Sequence, residues 1–377
     1  MRLRDSLLIC IAGVLLTACT AKYPEPRFIT AGNPLTLSEW GQFSISGDHL
    51  SLAHGVMAYD LATPLFTDYA HKLRTIWIPK GVAASYQENE VLSFPVGTVI
   101  TKTFYYPLGH REANTVAKQT DTSAALLRGE LTLSQVRLLE TRVLVHRESG
   151  WVAIPYRWNA EQTEAVLHRT GDIVPLVLQA EAGGLTVFNY VMPNANQCAG
   201  CHAPDSNNRV IQPIGPKIRH LNKQYAYGFD AVNQVQFMID SGRLIQTPES
   251  GEWPKNADYS NARASIEARA RAYLDINCSH CHSTVGPADT SGLHLESQTA
   301  YGASLGICKL AIAAGRGTGN RLHDIVPGHP EASILVYRMQ SSEPDIMMPE
   351  IGRSLPHSEG VDLISEWIRH LEGDCES

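Results

Sequence analysis

Two five-residue stretches constrain this chain most: Cys198-Ala199-Gly200-Cys201-His202 and Cys278-Ser279-His280-Cys281-His282. Each sets two thiols three positions apart with a His directly after the second, the attachment pattern for c-type haem. The chemistry explains the spacing. Each thiol adds to one vinyl group of a porphyrin, and the adjacent imidazole is held beneath the iron as proximal ligand. A zinc knuckle or a redox dithiol is the plainer alternative. Zinc would want both pairs in one tetrahedral cluster and needs no His after each; a redox dithiol does not need that His either. Two complete copies favour two covalently attached haem c groups, with His202 and His282 as proximal ligands.

The N-terminus points to export. Arg2 and Arg4 precede a short apolar run from Leu7 to Leu16, too short to span a bilayer, as in a signal peptide. The run ends in Leu16-Thr17-Ala18-Cys19, which resembles the lipobox of bacterial lipoproteins. That resemblance implies cleavage before Cys19, lipidation of its sulfur and a membrane anchor of several acyl chains. An ordinary signal peptide with an incidental Cys is the alternative. Thr20, rather than Asp, follows the Cys, which by analogy favours the outer membrane over the inner.

Of eight Cys, Cys10 leaves with the leader, Cys19 takes lipid and four hold haem. Cys308 and Cys375 remain, a candidate disulfide in an oxidising periplasm or two buried free thiols. A formal net charge of −7 excludes the basic footprint of a nucleic-acid-binding protein. The same charge suits a basic redox partner, or simply keeps the protein soluble.

From residue 22 to 195 the chain reads as short strands. Arg74–Ile78, Thr98–Tyr105, Glu140–Val145, Trp151–Trp158, Ala165–His168, Ile173–Leu178 and Leu185–Val191 are the clearest runs. Val91–Phe94 and Thr98–Tyr105 flank Pro95-Val96-Gly97, a hairpin signal. Helical interruptions are expected near Leu37–Phe43 and Ser123–Leu133. Beyond the first motif apolar residues recur at helical spacing, in stripes containing Val232 and Ile239, Ala262 to Leu274, Ile334 and Leu335, and Val361 to Leu371. The expected fold is therefore multidomain: an all-β, sandwich-like N-terminal domain followed by two all-α cytochrome c-like haem domains. The expected boundaries are a leader at 1–19, a β-rich domain at 20–190, a first haem segment at 191–258 and a second haem domain at 259–377.

For the second haem, Met347-Met348-Pro349 precedes the last helix and offers Met348 as sixth ligand, with Met347 the nearest competitor. His294, His323, His329 and His357 are further candidates. For the first haem the only Met between the motifs is Met238, on an expected helix where Met is ordinarily core. His220, Met57, His54 and His71 are alternatives, as is a five-coordinate iron. Arg316, Arg321 and Arg353 are candidate partners for haem propionates or plain surface residues. Gly315-Arg316-Gly317-Thr318-Gly319 lacks the Gly-Lys-Ser/Thr ending of a phosphate loop and is not read as one.

Several further segments resemble a family of little-characterised bacterial dihaem c-type cytochrome lipoproteins. They are Thr63-Pro64-Leu65-Phe66-Thr67-Asp68-Tyr69-Ala70, Pro213-Ile214-Gly215-Pro216-Lys217, Asp324-Ile325-Val326-Pro327-Gly328 and Met348-Pro349-Glu350-Ile351-Gly352-Arg353. The resemblance implies a β-rich N-terminal part followed by two haem segments, and supplies no substrate.

Three functions compete. The leading one is a lipid-anchored, periplasm-facing carrier of single electrons between a redox donor and an acceptor, rather than a catalyst. The second is a peroxidase-like haem enzyme whose open first haem is reduced by the second. In the third, Trp40, Trp77, Trp151 and Trp158 line a surface for a protein or glycan, against the commoner role of such aromatics as core.

Overall fold

The computed structural model describes residues 24–109, 114–119, 126–127, 130–205, 208–228, 230–248, 253–312 and 314–375. The leader, Cys10, Cys19, Thr20 and residues 123–125 lie outside the described residues.

The centre of the protein is a six-stranded antiparallel sheet. Its strands in chain order are β1 (Met57–Tyr59), β2 (His71–Trp77), β3 (Val99–Pro107), β4 (Val136–Arg147), β5 (Gly150–Trp158) and β6 (Ala165–Leu167). They lie side by side in that same order, each bonded to its neighbour in sequence. Period-two alternation gives the sheet two buried faces. One face presents Leu73, Val99, Tyr105, Val143, Val145, Ile154 and Tyr156, packed with Trp40, Phe43, Leu50 and Leu131 of the flanking strands. Thr75 and Thr101, and Thr103 and Thr141, pair their hydroxyls across strands on this face at 2.6 and 2.8 Å. That settles the polar groups which burial would otherwise leave unpaired.

Trp40, Trp77 and Trp158 pack in this interior, and Trp151 packs half-buried on the opposite face. Trp40 donates to the Tyr156 hydroxyl at 2.8 Å and Trp158 to Thr141 Oγ1 at 2.9 Å. Trp77 packs against the same core, and Trp151 stacks on His146 at 4.5 Å between ring centroids.

The opposite face carries Met57, Tyr59, Ile76, Ile100 and Leu144, and the chain beyond the first motif covers it. Ile218, Leu221, Val235, Met238, Leu244 and Ile276 join these residues in one core. This overturns the expected pair of all-α haem domains. The described residues form five sheets and only six α-helices, of four to twelve residues. The helices are α1 (Ala195–His202), α2 (Ile218–Leu221), α3 (Gln234–Asp240), α4 (Ile266–Asn277), α5 (Ile334–Gln340) and α6 (Ser358–Arg369). Helices of one or two turns cannot close a core by themselves, so α2 and α3 bury their apolar stripes on the sheet. Residues from both sides of the expected boundary near 190 thus share this core.

Local signals were mostly sound and their pairing was not. Val91–Phe94 forms only isolated bridges, Val91 to Lys217 and Ser93 to Ser85, while β3 pairs with β2 and β4 instead of closing a hairpin. The helix expected over 123–133 is absent from the described residues, where Leu126–Leu127 and Glu130–Thr132 are strands. The helix expected near Leu37 shrinks to one 3-10 turn, Leu37–Trp40.

Behind the second motif, α4 and α6 cross in a separate apolar cluster of Ala270, Tyr273, Leu274, Val361, Ile364, Trp367 and Ile368. Gly360 makes this crossing possible. A Cβ there would stand 2.2 Å from the Tyr273 hydroxyl. Cys308 and Cys375 form a disulfide with Cα atoms 5.1 Å apart, tying the chain end to this unit.

Candidate functional site

Both Cys-X-X-Cys-His motifs open onto one cavity of about 500 Å³. The first lies on α1, whose start is fixed by Asn194. Its side chain accepts from Gln197 N at 2.8 Å while Gln197 Oε1 accepts from Asn194 N at 2.9 Å, a reciprocal cap. The helix puts Cys198 and Cys201 on one face, three residues apart. The second motif begins where α4 ends, with Cys278 as its C-cap, and continues as a turn in which His282 N donates to Cys278 O at 2.9 Å. Gly200, inside the first motif, lies close against Ile351: a Cβ at Gly200 would meet Ile351 Cδ1 at 2.9 Å. The first motif thus touches the loop that carries Met348.

The two motif histidines are held alike. His202 Nδ1 lies 2.9 Å from Gln212 O, and His282 Nδ1 lies 3.3 Å from Ser291 Oγ. The Ser291 hydroxyl donates onward to Ala288 O at 2.6 Å, so it accepts from the imidazole. Both Nδ1 atoms act as donors in this arrangement, leaving Nε2 as the basic nitrogen, the tautomer that a metal-binding imidazole needs. Burial pushes both rings down to about 4, so both are neutral at physiological pH.

The four motif thiols carry no disulfide. Burial pushes Cys278 and Cys281 up to about 12 and raises Cys198 and Cys201 as well. Thiols so protonated are poor redox dithiols. Among the described residues no three His, Cys, Asp or Glu side chains converge as a bare-ion site, which is what a zinc cluster would need. A group that bonds to the thiols and takes one imidazole per motif fits these residues better than either alternative.

Met348 lines the cavity; Met347 is buried away from it. The Met348 backbone is clamped. Its N–H donates to Arg338 O at 3.1 Å, and its carbonyl accepts from Arg353 Nε at 3.1 Å and NH2 at 2.8 Å. Arg353 is thus a brace for the methionine loop. Arg316 is exposed beside Glu343 and Asp345, and Arg321 lies 4.2 Å over the Tyr337 ring. Met238 is fully buried in the sheet-covering core and does not line the cavity, because its helix turns the face it shares with Val235 into that core beside Leu244. Met57 sits in the same core, His54 is exposed, and His71 Nε2 lies 2.7 Å from Gln119 O. Neither His294, His323 nor His329 lines the cavity, whereas His220, His280 and His357 do.

One buried carboxylate organises the wall between the motifs. Asp275, three residues before Cys278, accepts from Arg219 Nε and NH2, both at 2.8 Å, from His220 Nε2 at 2.8 Å and from Asn256 Nδ2 at 2.8 Å. Burial opposes its ionisation, yet the hydrogen bonds from Arg219 and His220 outweigh it and hold the carboxyl well below the usual range. The segment Thr63–Ala70 ties the β-rich part to the second motif in the same way. Phe66 N donates to Asn277 Oδ1 at 2.8 Å, and its ring stacks on His357 at 4.2 Å. Asp68 accepts from Ser354 N and Leu355 N at 2.7 Å each.

Sequence reasoning missed Asp275, Arg219 and the charged strand residues Arg74, Lys102 and Arg142, all of which matter to this cavity. The strand residues had a signal: charges at alternate positions, on the same parity as apolar neighbours, read as a buried face rather than a solvated one. No family model, curated protein or solved structure matches the chain.

Proposed function

We propose that the chain is a dihaem c-type cytochrome of the bacterial cell envelope that passes single electrons between redox partners. The observation that carries this reading is the convergence of both motifs on one cavity, with each motif imidazole hydrogen-bonded through Nδ1. Covalently bound haem would supply reversible one-electron chemistry at its iron. The protein's share is to hold its own groups. Cys198, Cys201, Cys278 and Cys281 would form the thioethers, and His202 and His282 would hold the iron through Nε2. Met348, on the loop braced by Arg338 and Arg353, would serve as the sixth ligand at the second site. Because both motifs line one cavity, the residues that would hold the two groups belong to a single site. The Cys308–Cys375 disulfide accords with an oxidising compartment, and lipidation at Cys19 would set the protein on a membrane facing the periplasm.

Pyridine haemochrome analysis of the purified protein tests the reading: two covalent haems per chain are expected, and none would refute it. Electron paramagnetic resonance of the oxidised form should give two low-spin centres for a carrier. A persistent high-spin first centre would instead favour ligand binding there, because no methionine of the first haem segment reaches the cavity. Met348→Ala should lower the reduction potential of one haem and leave the other; two unchanged potentials would remove Met348 as ligand.

A further inference from the structure

The sheet face that forms one wall of the cavity carries an unusual row of charge. Arg74 on β2, Lys102 on β3 and Arg142 on β4 are direct partners across adjacent strands, Arg74 opposite Lys102 and Lys102 opposite Arg142. All three line the same cavity as the two motifs. Directly opposed side chains start about 5 Å apart, and like charges so placed repel. Two of the three cations are answered within the protein. Arg74 NH1 lies 3.2 Å from Asp60 Oδ1, an oxygen pair that Asp60 shares with Lys223 at 2.7 Å. Arg142 forms a two-point bond to Glu140, at 2.9 Å through Nε and 2.5 Å through NH2.

Lys102, between them, has no ion-paired carboxylate and no hydrogen-bond acceptor on its ammonium among the described residues; it lies 5.6 Å from the Phe104 ring, and Glu140, which is bonded to Arg142, acts on it only through space. Burial, then the neighbouring Arg142 and Arg74, bring its ammonium down to about 7. A lysine without an ion-paired partner, flanked by two guanidinium groups in a largely apolar cavity, lacks a counter-ion of its own.

We propose that Arg74, Lys102 and Arg142 form an oxyanion-binding wall, with Lys102 as the group that takes the negative oxygen of a carboxylate or a small inorganic oxyanion. Two sources share that chemistry, a haem propionate and a free anion entering the cavity. Only the propionate source rests on the dihaem reading; the free anion does not. Phe104 serves the wall as well. Lys72, Lys102 and the Arg142 guanidinium all lie within 6 Å of its ring centroid, at 5.9, 5.6 and 4.2 Å, so its face partly offsets the cation density until an anion arrives.

The test compares the purified wild-type protein with Lys102→Met and Lys102→Arg. Sulfate, which is no ligand for a haem iron of this kind, is titrated by calorimetry, and the propionate-bending region is recorded by resonance Raman. Sulfate binding that falls roughly tenfold to a hundredfold in Lys102→Met and survives in Lys102→Arg assigns a free oxyanion. A shifted propionate band in Lys102→Met, restored in Lys102→Arg, with no sulfate binding to the wild type, assigns the propionate. Neither effect in a Lys102→Met protein of unchanged circular dichroism overturns the proposal. Should Lys102→Met fail to fold, Lys102→Gln is read in the same way, and failure of both arms in it is equally fatal. If the protein carries no haem, the dihaem reading falls and the sulfate arm alone decides.

Discussion

Asp275→Asn is the substitution that tests the architecture most directly, because one side chain there joins the helix of the second motif to the segment covering the sheet. The Asp275 side chain is wholly buried, and Arg219 and His220 are 3% and 4% exposed. Replacing carboxylate with amide removes the anion that the Arg219 fork faces. It also turns an N–H₂ group toward donors on Arg219, His220 or Asn256, since the amide has one acceptor oxygen where the carboxylate had two. Breaking one side of a buried ion pair costs about 3–5 kcal/mol. Arg219 keeps a bond to Asn89 O at 2.7 Å, which argues for the lower half of that range. A whole domain is stable by only about 5–15 kcal/mol, so the loss is a large share of the total. Guanidinium unfolding of the purified protein, followed by far-ultraviolet circular dichroism, measures it as a fall in midpoint at unchanged slope. The double variant Arg219→Met/Asp275→Leu should recover part of the loss, and only part, because His220 and Asn256 then lack their acceptor. A cost under about 1 kcal/mol for Asp275→Asn would refute the view that this carboxylate holds the two parts together.

Three other perturbations follow from particular contacts. Gly360→Ala gains about 1 kcal/mol of helix propensity but drives a methyl into Tyr273, so a net loss of about 1–3 kcal/mol is expected; thermal unfolding no lower than wild type would show that α4 and α6 can part cheaply. Removing the disulfide by Cys308→Ser/Cys375→Ser opens a loop of 67 residues, for which chain entropy sets a cost of about 4 kcal/mol; reduction that leaves the unfolding midpoint in place would contradict it. His357 is held down to about 4, by burial first, with Lys72 and Lys118 adding to it and Glu359 opposing. A depressed imidazole resists the proton in the folded state, so its stabilising effect is complete above about pH 6.5 and is lost as pH falls toward 4. Between pH 7 and 5 this amounts to about 2 kcal/mol, which His357→Gln should remove from the pH dependence of unfolding; an identical profile in the variant would dismiss His357 as its source.

How much of this protein is legible without coordinates can be judged from specific residues. The two motifs, the Met348 loop and most strands are local facts, set by spacing and alternation, and the sequence alone determined them; thiol arithmetic left Cys308 and Cys375 as a candidate pair, which the structure joins across 67 residues. Haem itself is an inference from those spacings. What the tertiary structure decided is where the motifs go. The stripes containing Val235 and Met238 have the right period for a helix, but period does not say what the stripe faces. Only the unfilled side of the six-stranded sheet, with Ile76, Ile100 and Leu144, makes them a lid on that sheet rather than the core of a separate haem domain. The same holds for charge. Arg74, Lys102 and Arg142 are far apart along the chain, and strand register alone brings them into one row on the cavity wall. Spacing along a chain encodes chemistry that neighbouring residues perform together. Contacts across a sheet depend on which strands pair, and no local pattern carries that information.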